Sequence, residues 1–149
     1  DTMWAIREHI SMAQSQEGLN IKHDISVPIS KIADFVLQTD RALAAAIPGV
    51  RIVNFGHLGD GNLHYNVQAP EGVDSAVFLE TSEATINTLV FDAVNAFGGS
   101  ISAEHGIGSL KAHTLPKYKS PVALRMMREI KRALDPKNIL NPGRVLAEG

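Results

Sequence analysis

Two histidines flank a Gly-Asp-Gly core in the segment Phe55-Gly56-His57-Leu58-Gly59-Asp60-Gly61-Asn62-Leu63-His64. Asp-Gly is a preferred centre for a two-residue hairpin, because both central positions then need positive φ. With Asp60 and Gly61 as the turn, Gly59 is expected to pair with Asn62 and His57 with His64. Directly opposed side chains share one face of a hairpin, with Cβ atoms roughly 4.5–5.5 Å apart. One metal ion could then hold both imidazoles. A carboxylate and a further imidazole follow in Ser102-Ala103-Glu104-His105-Gly106-Ile107-Gly108. Two histidines and one carboxylate suit a borderline divalent ion such as zinc, and three protein ligands leave a position open for substrate or water.

The elements that must position these residues are readable from periodicity. Residues 2–16 carry Trp4, Ile6, Ile10 and Met12 in a helix-like pattern that Gly18 stops. Leu19 to Val27 alternates, with Ile21, His23, Ile25 and Val27 on one side and Lys22, Asp24 and Ser26 on the other. Residues 30–46 are expected to be a helix ended by Pro48-Gly49, and residues 50–55 and 63–68 the two hairpin strands. Asp74 or Ser75 can cap a long helix to about Phe97, which Gly98-Gly99 ends. Residues 100–103 read as a short strand, 107–113 as a helical turn and 121–134 as a helix with Leu124, Met127, Ile130 and Leu134 on one stripe.

Strand, helix, strand, strand, helix, strand is the split βαβ, ferredoxin-like order. The expected fold is therefore α+β: an antiparallel sheet of about four strands with helices mainly on one face and extra helices at both chain ends. The other face is free to carry chemistry or to dock a domain.

Bulk properties exclude several classes. At 149 residues and 44% hydrophobic content the chain can bury a real core. A net charge of −2 without a basic tract argues against nucleic acid. With no cysteine, thiolate chemistry and disulfides are excluded. No apolar run approaches the roughly 18 residues of a membrane span, so the expected location is cytoplasmic or peripheral to a membrane. The first residue is Asp1 and there is no Gly-rich pyrophosphate loop leading into a helix, so a fragment of a longer protein is expected.

The runs GHLGDGNLH, SAEHGIG and LDPKNILNPGR, in this order, resemble the C-terminal domain of FAD-linked oxidases, and among these the D-2-hydroxyacid dehydrogenases. The similarity spans essentially all of residues 1–149. It implies the cap, or substrate, domain of a flavoenzyme that oxidises a D-2-hydroxy acid, such as D-lactate, to a 2-oxo acid. The N-terminal FAD-binding domain would be its partner, and the isolated chain would be inactive and bind FAD weakly. The resemblance implies that His57, His64 and Glu104 are the metal ligands and that His105 is the general base. It places Arg7, Ser11, Lys22 and Asn66 on the substrate, and Asn141 against the flavin ring. The family commonly has Thr where Ser11 stands. His9, His23 and His113 receive no role, and His23 is expected to be a satisfied core histidine. A surface that normally faces flavin would be apolar, and self-association into a homo-oligomer through it is one expectation. A metal-dependent hydrolase using His57, His64 and Glu104, and a non-catalytic docking domain, are the alternatives.

Overall fold

The structure, a computed structural model, describes residues 2–147. The elements are α1 (Thr2–Gln16), β1 (Asn20–Ser26), α2 (Ile32–Ala46), β2 (Arg51–His57), β3 (Asn62–Gln68), α3 (Ser75–Ala96), α4 (Leu115–Tyr118) and α5 (Pro121–Leu134), with 3₁₀ turns at Ile29–Lys31 and Leu58–Asp60. The sheet is antiparallel in the order β1-β3-β2. This is the α+β arrangement expected from the element order.

The expected fourth strand is reduced to a single antiparallel bridge between Ser26 and Ser100. It lies on the free edge of β1, where a ferredoxin-like sheet would place it. After that bridge the chain leaves the sheet as the 101–106 loop, whose backbone hydrogen bonds go to a side chain instead of a neighbouring strand. The expected helical turn at 107–113 is irregular turn backbone, and helix resumes only at Leu115.

The hairpin register also differs from the expected one. His57 pairs with Asn62 and Phe55 with His64. Asp60 and Gly61 are not an isolated two-residue turn. Leu58–Asp60 winds into a 3₁₀ turn, and Gly61 closes it in the left-handed region at φ 82°. A Cβ on Gly61 would lie 2.2 Å from the Val27 carbonyl oxygen, while the Gly61 carbonyl accepts the Val27 N–H at 3.0 Å. The close approach of this second chain segment selects the longer loop. Because the register moved by two residues and not one, every side chain keeps its face. His57 and His64 remain on the same side, as diagonal neighbours.

One sheet face is apolar. Ile21, Ile25, Leu63, Tyr65 and Val67 pack there against Phe35 and Leu43 of α2 and Ile86, Val90 and Val94 of α3, all at most 2% exposed. α3 begins where expected, with the Asp74 carboxylate accepting from the N–H groups of Ala76 and Val77 at 2.9 and 3.0 Å. His23 lies in this core at 1% exposure, as a satisfied core histidine.

α1 lies across the opposite face. Its buried side chain is Gln14, not Trp4, Ile6 or Met12, which are 58–66% exposed. α5 buries Leu124 but leaves Ile130 and Leu134 at 58% and 78% exposure, so the expected stripe is only partly used.

Candidate metal and substrate site

The strand β3 explains where the chemistry gathers. Its odd positions enter the apolar core. Its even positions, Asn62, His64, Asn66 and Gln68, line the other face. Register places Lys22 opposite Asn66 and Asp24 opposite His64 on one flank. On the other flank stand Phe55 opposite His64 and His57 opposite Asn62.

Glu104 reaches this face from the 101–106 loop. Its Oε1 lies 3.2 Å from Nδ1 of His57 and 3.7 Å from Nε2 of His64. The Asn62 side-chain amide donates to the same oxygen. The donor types, two imidazoles and a carboxylate, suit zinc, and Glu104 stands near both rings, but these three do not bring one ligand atom each within 4.8 Å of one another. Half-exposed His57 and Glu104 leave one side open.

Among the described residues, Asp24, His64 and His105 do bring one ligand atom each within 4.8 Å of one another. The two candidate sets share His64. In the second set the Asp24 carboxylate is already engaged. Its Oδ2 accepts from Ala103 N–H at 3.0 Å, Glu104 N–H at 3.0 Å, His105 N–H at 2.9 Å and Ser102 Oγ at 3.3 Å. Oδ1 accepts from Glu104 N–H at 3.1 Å. Burial works against the charged form of Asp24, yet the N–H groups of His105, Glu104 and Ala103 outweigh it and hold the carboxyl below the usual carboxylate range.

His105 follows Glu104 on the exposed loop, with its ring centroid 5.9 Å from that of His64. Both rings line a cavity of about 190 Å³ between α1 and the sheet, together with Ser11, Lys22 and Asn66. A neighbouring cavity of about 330 Å³ is lined by Arg7, Ser11, His57 and His64. Ser11 and His64 border both. The structure thus brings together Arg7, Ser11, Lys22, His57, His64, Asn66, Glu104 and His105. Two cationic side chains, Arg7 and Lys22, stand at the two cavities. Arg7 lies over the Trp4 ring at 5.4 Å, and Asn66 donates to Gln14 Oε1 at 2.6 Å.

Asn141 is elsewhere. It takes a left-handed φ of 50° in a separate cleft beside α5, with Arg128, Arg132 and Arg144. His9 turns back on its own helix, Nδ1 2.6 Å from the Ala5 carbonyl, and His113 is exposed.

Three contributors escaped the sequence reading: Asp24, Asn62 and Gln14. Asp24 and Asn62 carried a signal. Asp24 is two residues beyond Lys22 on the polar side of β1, and Asn62 is two before His64. Gln14 carried none, because its helix shows no polar face distinct from its apolar one.

Residues 1–145 match the family described as FAD linked oxidases, C-terminal domain. The chain is 40% identical over 145 residues to D-2-hydroxyglutarate dehydrogenase of Stutzerimonas stutzeri (strain A1501), covering 97% of this chain and 31% of the relative. It is 41% identical over 143 residues to D-2-hydroxyglutarate dehydrogenase of Xanthomonas citri pv. viticola, covering 96% and 30%. Mitochondrial D-2-hydroxyglutarate dehydrogenase of Rattus norvegicus is 38% identical over 144 residues, with 97% and 25% covered. The chain therefore spans a quarter to a third of the length of these relatives. Among the described residues, no helix is long and apolar enough to cross a membrane.

Proposed function

This chain belongs to the C-terminal domain family of FAD linked oxidases, and we propose from that premise that it is the metal- and substrate-binding part of a flavin-dependent dehydrogenase acting on a D-2-hydroxy acid. The observation that carries the reading is the meeting of Glu104 with His57 and His64 at 3.2 and 3.7 Å, beside cavities bordered by Lys22 and Arg7.

His57, His64 and Glu104 would hold one divalent ion, zinc by the chemistry of the donors. When bound, the metal would supply Lewis acidity and the flavin would supply the redox chemistry. The remaining work falls to the chain's own side chains. His105 Nδ1 or Nε2 takes the hydroxyl proton, a task suited to an imidazole near neutral pH. Arg7 and Lys22 neutralise carboxylate charge, Arg7 with a bidentate fork. Ser11 and Asn66 orient the acid. Two cations at adjoining cavities would suit a substrate with two carboxylates, so the preferred acid is a 2-hydroxy dicarboxylate of glutarate size, in keeping with the names of the relatives. The FAD-binding domain would be the partner, and Asn141 would meet the flavin.

The test uses the full-length protein. Anaerobic addition of D-2-hydroxyglutarate should bleach the flavin absorbance, with D-lactate slower and the L-isomers inert. Lys22→Ala should raise KM for the dicarboxylate much more than for D-lactate. Equal effects on both acids, or no flavin reduction by any D-2-hydroxy acid, would overturn the proposal.

A further inference from the structure

We propose that Asp24 is the positioning residue of this site: its carboxylate seats the 102–105 loop and so fixes where Glu104 and His105 stand relative to the histidines. The proposal rests on the metal reading above for its consequence, but its geometry stands independently.

Asp24 is 3% exposed. Among the described residues no lysine, arginine or histidine forms an ion pair with it. Lys111 acts on it only at longer range, and a buried carboxylate without a paired cation is costly unless its lone pairs are filled by hydrogen bonds. Here they are filled by the successive N–H groups of Ala103, Glu104 and His105 and by the Ser102 hydroxyl. Successive N–H groups converging on one point make an anion-binding concavity. Gly106, at φ 73°, carries the backbone out of it. The protein's own carboxylate occupies that concavity.

The loop has few other holds. The Ser26–Ser100 bridge ends the sheet contact, and Lys111 Nζ donates to the Ile101 carbonyl at 2.7 Å. From 102 to 105 the backbone donors all go to Asp24, apart from Ser102 N–H, which turns to the Ser100 hydroxyl. Asp24 is also the register partner of His64. A single side chain therefore ties β1, which pairs with the strand presenting His64, to the loop that presents Glu104. Its lone pairs are spent on the loop, so it serves the ion through Glu104 and not as a ligand.

The test is Asp24→Asn in this chain, followed by residue-resolved amide hydrogen exchange. An amide keeps the size but offers one acceptor, and its NH₂ faces N–H groups. Exchange at Ala103, Glu104 and His105 should quicken at least tenfold (about the loss of one charge-assisted bond), with α2, α3 and β3 core amides unchanged. Zinc affinity, read by chelator competition on the chain and on the full-length protein, should fall about 10–100-fold, the usual effect of removing a group that orients a ligand. Unchanged exchange at 103–105 overturns the proposal. So does zinc loss with exchange unchanged, because Asp24 would then be a ligand. A wild-type protein that binds no zinc, yet protects these amides in an Asp24-dependent way, overturns the metal reading and supports the anchor. If Asp24→Asn does not fold, Ser102→Ala removes one donor only and should quicken exchange at 103–105 a few-fold. No change there overturns the proposal as well.

Discussion

Lowering the pH from 7 to 4 should cost this fold about 3 kcal/mol through one residue, His23. Its ring is 1% exposed, edge-on to Phe91 and Tyr65 with centroids 5.4 and 6.4 Å away. Burial is the main cause that pushes its pKa down to about 4, and hydrogen bonds to Tyr65 and Asn87 only partly oppose it. The ring is therefore neutral at pH 7. Nδ1–H donates to the Tyr65 carbonyl at 2.8 Å. Nε2 lies 2.8 Å from Asn87 Oδ1, a second acceptor that favours the charged ring and that burial outweighs. The unfolded chain takes up this proton at about pH 6.5 and the folded one only near pH 4. Stability is thus complete above pH 6.5 and declines as pH falls from there to 4. Two and a half pH units at about 1.4 kcal/mol each give about 3 kcal/mol, a large part of the roughly 5–15 kcal/mol of an ordinary domain. Urea unfolding at several pH values, for the wild type and His23→Gln, isolates the effect, because carboxylates that titrate below pH 5 are common to both. The variant should be less stable at pH 7 but flatter between pH 6.5 and 4.5. Parallel profiles, or an NMR midpoint for folded His23 above pH 6, would refute the reasoning.

Three further outcomes are expected. In the full-length protein, His57→Ala or His64→Ala should remove both zinc and turnover, whereas His105→Ala should keep zinc, by metal analysis, and lose about 10²–10⁴ in kcat. Gly61→Ala should cost at least about 2 kcal/mol in urea unfolding, because the residue sits at φ 82° with a backbone oxygen 2.2 Å from the new Cβ; a loss under 0.5 kcal/mol (roughly the effect of an ordinary surface change) would mean the 3₁₀ loop is not held as described. Asp74→Ala should cost about 1 kcal/mol by removing the cap on Ala76 and Val77, whereas Asp74→Ser should recover most of it.

How legible all this was depended on whether the cause was local. Alternation on β1 placed Ile21, His23 and Ile25 against Lys22 and Asp24 correctly, because a period of two needs no knowledge of the partner strand. The Asp74 cap and the Gly98 stop were equally local. The hairpin register was not. Asp60-Gly61 signals a tight turn, but the Val27 segment, more than thirty residues earlier, closes on Gly61 and draws Leu58–Asp60 into an extra turn. The fourth strand failed for a related reason. Residues 100–103 have strand-like composition, yet beyond the Ser26 bridge Ser102 N–H turns to the Ser100 hydroxyl and Ala103 N–H to Asp24, so no ladder continues. No periodicity reports that a distant carboxylate competes for a backbone.

The even positions of β3 form a polar row. Asn62, Asn66 and Gln68 are 4–5% exposed, so this strand is covered on both faces. A strand buried twice is ordinarily apolar twice. Here the even positions are all polar, and several of the atoms they bring are left over: Asn62 Oδ1 and Gln68 Nε2 on β3, and Gln14 Nε2 on the helix above, are buried without a protein partner. Each such group costs about 1–3 kcal/mol. Leucine or valine at Asn62, Asn66 and Gln68 would fill the same space more stably, and the odd positions Leu63, Tyr65 and Val67 show that the strand accommodates such residues. Stability forgone along one face, beside two histidines, a glutamate between them and two cations, is what the proposed acid-binding site would require. The apolar face of β3 makes the fold, and the polar face is where its cost is spent.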